Sequence, residues 1–226
     1  MEEFNRMVYQ MKIRQHLWRA YLLLCLVLTS FCGFGQKIIG DCTIVYGLKA
    51  ESKNIDAGAL KHASKIFYVR GGMSLTEIRF DDFLQSTIYN KNGDKVYVLS
   101  ELNDNKYMSV LSIPQWKEQF ENYKDLKLEM RGEKKNILGY TCNKAVATLN
   151  DGTQINLYYT TALKTTAPEN PYEFNNINGL VLEYQALIKN KYKVTYTATH
   201  IDFDPVPASK FIIPKEGYRL LDNSMN

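Results

Sequence analysis

The chain has 226 residues, 45% of them apolar and 23% charged, with a formal charge of +4. That composition excludes wholesale disorder, and the length suits one domain with a sizeable core. Residues 1–35 hold Arg6, Lys12, Arg14 and Arg19 against Glu2 and Glu3, so the rest carries only about +2, too little to point to a nucleic-acid partner.

The first element reads as an export signal. Lys12, Arg14 and Arg19 form a positive region, residues 20–34 (AYLLLCLVLTSFCGF) an uncharged apolar run, and Gly33 and Gly35 the small residues before a cut at Gln36. Residues 1–35 are therefore expected to leave as a signal peptide, and residues 36–226 to form a single β-rich globular domain with no transmembrane span. Glu2 and Glu3 oppose the positive charge, and Met11 offers a cleaner start. The competing reading is an uncleaved anchor, for which the run is short, since a bilayer takes roughly 20 apolar residues. Lipid attachment fits poorly, because Cys25 follows Leu24 and Cys32 follows Phe31 where a small residue is needed. Export places the chain in the periplasm or outside the cell, associated with the envelope.

Cleavage removes Cys25 and Cys32 and leaves Cys42 and Cys142. In an oxidising compartment this pair reads as a disulfide, closing a loop of about a hundred residues and stabilising the fold by up to ~4–5 kcal/mol. The alternative is two separate buried thiols. Two cysteines so far apart, without CxxC, do not form a zinc site.

The dominant period thereafter is two. In TIVYGLKA (43–50), Ile44, Tyr46 and Leu48 share a face. Residues 56–64 (DAGALKHAS) suggest a short helix. Asn92-Gly93 marks a hairpin between STIYN and DKVYVLS. Ser112 caps a helix with Pro114 in its first turn, expected to run to about Tyr123 with Trp116, Phe120 and Tyr123 on its apolar face. In LKLEMRG (126–132), Leu126, Leu128 and Met130 alternate with charges. Asp151-Gly152 marks a second hairpin, between KAVATLN and TQINLYYT. Residues 163–177 form the longest irregular stretch. In LVLEYQALI (180–188), Leu180, Leu182, Tyr184, Ala186 and Ile188 share a face. Asn190 then turns the chain into YKVTYTATH (192–200), where Tyr192, Val194 and Tyr196 do the same.

Strands apolar on one side only, joined by short turns, predict a mainly β fold: a curved antiparallel meander. So short a helix cannot cover the apolar face of such a sheet. The expectation is an unclosed half-barrel with one or two short helices against its concave face, and a lined groove there. Trp116, Phe120, Tyr159, Leu182, Tyr184 and Tyr196 are the candidate lining of an apolar ligand site, with ordinary core packing as the competing role.

Catalytic signatures are absent. The histidines are His16, His62 and His200, and there is no GxSxG, HExxH, Walker A or GxGxxG. Gly71-Gly72 reads as a turn. His200, Asp202 and Asp204 share a strand face and could hold a divalent ion, but no further ligands accompany them, and a strand end running into solvent before Pro205 is the simpler reading. No catalytic residue, metal site or cofactor is assigned.

SKIFYVRGGMSLTEIRF (64–80), ILGYTCNKAVATLNDGTQINLYYT (137–160), NINGLVLEYQ (176–185) and PVPASKFIIPKEGYRLL (205–221) resemble the GLPGLI-type family of secreted proteins in order and spacing. The naming motif appears as residues 178–183, with Asn178 where the family has proline. The resemblance covers residues 40–221 and implies export, no assigned activity, and a fold similar to periplasmic lipoprotein carriers of the LolA type, which bind acyl chains inside a curved, unclosed barrel. The expected function is that of a non-enzymatic envelope protein binding a lipid, acylated or other apolar ligand in the concavity of its sheet. The alternative is a protein–protein interaction module with a filled core, docking on an envelope protein through a sheet edge or the 163–177 stretch. A hydrolase would need a polar pocket around His62 or His200.

Overall fold

The computed structural model describes residues 35–50, 62–170, 172, 174, 176–188 and 192–221, together with Met1, Arg6, Met11, Arg14 and Trp18. The chain divides into two compact units, Met1–Gly35 and Gln36–Asn226. The expected signal peptide lies almost wholly outside the described residues. So does most of the helix expected over 56–64, although Ser64 itself opens a strand. Among the described residues, no helix is long and apolar enough to cross a membrane.

The larger unit is mainly β. Its first run of strands is β1 (Lys37–Ile39), β2 (Asp41–Ala50), β3 (Ser64–Arg70), β4 (Met73–Phe80), β5 (Phe83–Asn90), β6 (Lys95–Leu102) and β7 (Asn105–Ser112). A helix, α1 (Ile113–Glu118), and a 3₁₀ turn at Glu121–Tyr123 lead to β8 (Lys127–Ile137), β9 (Tyr140–Thr148), β10 (Gln154–Thr160) and β11 (Leu163–Thr165). Then come β12 (Leu180–Ile188), β13 (Tyr192–Asp202), a 3₁₀ turn at Ala208–Phe211 and β14 (Arg219–Leu220). Among the described residues the large sheet has the order β14-β7-β6-β5-β4-β3-β2-β13-β12-β10-β9-β8, and β1 pairs separately with β11 in parallel. Both hairpins expected at Asn92-Gly93 and Asp151-Gly152 form, and β12 pairs with β13.

The sheet is therefore two meanders rather than one, β2–β7 and β8–β13, joined where β2 pairs with β13. This topology forces the curl. The connection from Ser112 to Lys127 must link β7 to β8, ten strand spacings apart, about 48 Å in a flat sheet. Containing one helix and one 3₁₀ turn, it reaches only about 36 Å. The edges must approach each other, and the sheet bends into an unclosed half-barrel with this connection across its concave side. α1 packs on β6 and β7 there, and Asn150, at the β9–β10 turn, donates from both its backbone and its side-chain nitrogen to the carbonyls of Asn122 and Glu121 at 3.1 Å.

Three sequence expectations change. The helix stops at Glu118, and the residues to Tyr123 form a separate 3₁₀ turn. In β8, Met130 is 54% exposed instead of sharing a buried face, because β8 is an edge strand with a register shift between Met130 and Lys134. Burial is also two-sided in β3–β6. Phe67 and Val69 join the main core, whereas Tyr68 packs with Leu75, Ile88 and Leu99 under Val206 and Phe211. The C-terminal segment supplies this cover on the outer face.

The expected disulfide is not formed, and Cys42 and Cys142 are separate, buried, free thiols. Cys42 on β2 and Cys142 on β9 lie four strands apart, about 19 Å along the sheet, whereas a bridge needs Cα atoms within about 7 Å. Burial pushes Cys42 up to about 12, with the Asp41 charge adding, and Cys142 up to about 11.

Candidate functional site

β3 carries a charge in its inward row. Along SKIFYVR, Lys65 alternates with Phe67 and Val69 and is only 3% exposed. The ladder holds it on both sides, opposite Tyr46 of β2 and Ile78 of β4. Its ammonium lies 5.4 Å from the Tyr46 ring centroid, 4.8 Å from that of Tyr184 and 5.1 Å from that of Tyr196. Three aromatic rings thus form a cage around a desolvated cation, Tyr184 meeting it with its hydroxyl edge and not its face. Lys65 also donates a hydrogen bond to the Tyr184 hydroxyl and forms an ion pair with Glu169.

The cage follows from strand register. Tyr184 of β12 and Tyr196 of β13 are directly opposite and stack, with centroids 5.0 Å apart and planes at 11°. Tyr46 meets Tyr184 edge-on at 6.1 Å, and its hydroxyl donates to the Val181 carbonyl at 2.9 Å. Phe174 closes on Tyr184 from the segment beyond β11, centroids 5.3 Å apart.

Two cavities meet at this cluster, sharing Tyr184 and Glu169. One, of about 250 Å³, lies beside α1 and is lined by Trp116, Phe120, Tyr196, Lys65 and Asn170 among others. The other, of about 300 Å³, is lined by Tyr46, Phe67, Phe174, Ile177 and Val181 among others. Of the six lining residues expected from sequence, Trp116, Phe120, Tyr184 and Tyr196 come together around the first cavity. Leu182 and Tyr159 border neither. Leu182 is fully packed in the core, and Tyr159 follows a register shift in β10, from where its hydroxyl donates to the Met130 sulfur at 3.3 Å. Sequence reasoning missed Lys65, Glu169 and Asn170, although a lysine in phase with Phe67 and Val69 is a visible signal.

The histidines lie elsewhere. His62 and His200 are exposed, and Asp202 accepts from the Asp204 backbone at 2.9 Å. Among the described residues, no group of three or more His, Cys, Asp or Glu is placed to hold a metal ion.

A curled, unclosed antiparallel sheet with an aromatic-walled cavity under a short helix defines the class. Residues 75–214, more than half the chain, match the family model described as the N-glycanase peptide, N-terminal domain, and the chain belongs to that family. No curated protein matches it. Among solved structures it is similar to PNGF-II, at 18% identity over 80% of this chain with a TM-score of 0.46. The chain spans 30% of that structure's length. It is also similar to MucB, at 9% identity over 78% of this chain and 58% of that one, TM-score 0.32. A third similarity is to the MucA/MucB complex of Pseudomonas aeruginosa, at 8% identity over 77% of this chain and 56% of that one, TM-score 0.31.

Proposed function

We propose that this chain is an exported, non-enzymatic binding domain of the cell envelope, holding an apolar or acylated ligand between α1 and the concave face of its sheet. The observation that carries this reading is the cavity of about 250 Å³ walled by Trp116, Phe120, Tyr184 and Tyr196. Each methylene buried there contributes about 0.8 kcal/mol before ordering costs.

The GLPGLI-type resemblance belongs to the same proposal. The motif's glycine has a steric reason in this fold: a side chain at Gly179 would overlap the Thr160 carbonyl, so glycine is required where the chain enters β12. Protein purified from its native compartment, stripped of lipid and titrated with a fluorescent monoacylglycerol is expected to take up the probe, and Trp116→Ala to weaken uptake. Stripped protein that takes up no probe would overturn the reading.

One observation favours the docking alternative. Among the described residues β8 is a long, largely exposed edge strand, paired with β9 on one side. An envelope protein cross-linked through β8, in a chain that takes up no acyl probe, would decide for that reading.

A further inference from the structure

A buried ammonium persists only with a counter-charge. Around Lys65 the sheet supplies neutral groups, the rings of Tyr46, Tyr184 and Tyr196 and the Tyr184 hydroxyl. The carboxylate that meets Lys65 comes from outside the sheet. Glu169 belongs to the segment after β11, its side chain is 24% exposed against 4% for Lys65, and it borders both cavities. The two partners are therefore unequal. Lys65 is pinned by ladder pairing on both sides, with Tyr46 and Ile78. Glu169 reaches in from a connecting segment and has solvent to return to.

The cavity that Lys65 borders has walls of two kinds. Lys65, Glu169 and Asn170 bring charge and an amide, while Trp116, Phe120 and Val98 bring aromatic and aliphatic surface. A ligand matching both carries an anionic group and an apolar body.

We propose that Lys65 anchors the carboxylate of an acyl chain, which displaces Glu169 from it, the Tyr184 hydroxyl standing beside the new pair. This rests on the reading of the cavity as an acyl site and adds the head group that site selects. A charge-assisted pair with a buried ammonium discriminates against a neutral head of the same chain length.

The test compares dodecanoate with 1-dodecanol by displacement of the fluorescent monoacylglycerol from the full exported protein. The wild type is expected to bind the acid at least tenfold more tightly than the alcohol. Lys65→Met is expected to abolish that preference while leaving the alcohol's affinity within about threefold. Glu169→Gln, a near-isosteric change at a half-buried position that leaves no core volume to refill, is expected to tighten the acid several-fold by removing the competing carboxylate. Thermal unfolding of each variant verifies that it is folded. Equal binding of acid and alcohol by the wild type overturns the proposal while the acyl-site reading stands. A preference that survives Lys65→Met in folded protein also overturns it, as does weaker acid binding in Glu169→Gln. Protein that binds neither compound overturns both readings.

Discussion

At the scale of single residues, the two most informative positions are ones whose neighbours dictate their chemistry. Gly179 runs so close to Thr160 that an added Cβ would overlap its backbone carbonyl, a group held in β10 and unable to move aside. Gly179→Ala is therefore expected to destabilise the protein by about 2 kcal/mol, in the range of overpacking substitutions. Gly132→Ala, with nothing within 4 Å of the added atom, is expected to stay within about 0.5 kcal/mol. Urea midpoints at unchanged slope measure both, and equal midpoints for the two variants would show that the close approach is not as described. Lys65 is the second position. Its place in the inward row was legible from the alternation with Phe67 and Val69. Its partners were not, because Tyr46, Glu169, Tyr184 and Tyr196 come from three separated stretches of sequence that only the β2–β13 pairing and the segment after β11 bring together.

At the scale of elements, the sequence is most readable where structure is local. Asn92-Gly93 and Asp151-Gly152 announce their hairpins because turn geometry is decided by the turn residues themselves. The α1 start is equally local. The Ser112 hydroxyl accepts from the Gln115 backbone N–H at 3.4 Å, and the Gln115 side chain accepts from the Ser112 N–H at 2.9 Å, a reciprocal cap. Its end was misjudged because the apolar spacing of Trp116, Phe120 and Tyr123 also suits a helix broken into two pieces. Trp116 stacks on Tyr89 at 4.7 Å and Phe120 meets Trp116 edge-on at 6.2 Å, both without a continuous helix. A six-residue helix has no stability of its own, so its cap matters. Ser112→Ala is expected to cost about 1 kcal/mol in urea denaturation, and, by loosening the wall that carries Trp116 and Phe120, to weaken acyl-probe uptake as well. Unchanged stability and uptake would mean that packing alone fixes α1.

At the scale of the whole molecule, the sequence suggested strands buried on one side, and the structure departs from this for a reason no strand reveals. Residues 205–221 return across the outer face of β3–β6. Val206 and Phe211 cover Tyr68, Leu75, Ile88 and Leu99, and β14 then pairs with Tyr107 and Met108 of the edge strand β7. Polar contacts register the strap: Arg70 donates to the Val206 carbonyl, Lys210 lies 3.4 Å from Glu77 and 3.2 Å from the Tyr68 hydroxyl, and the Tyr218 hydroxyl donates to Glu101. Burial and that bond push Tyr218 up to about 12, and the same bond, with a second from Lys106, holds Glu101 below the usual carboxylate range against the opposing effect of burial. The strap therefore works as part of the core, and Phe211→Ala is expected to cost about 3 kcal/mol, as for a buried aromatic. The exposed polar pair tests the opposite limit. Lys210→Ala is expected to cost under about 1 kcal/mol, since partly solvated ion pairs contribute little. If the two substitutions prove equally mild in urea denaturation, the outer face does not depend on the strap. If Phe211→Ala alone is costly, residues 205–221 are the second layer that lets the large sheet carry its cavity on the concave side without leaving its other face bare.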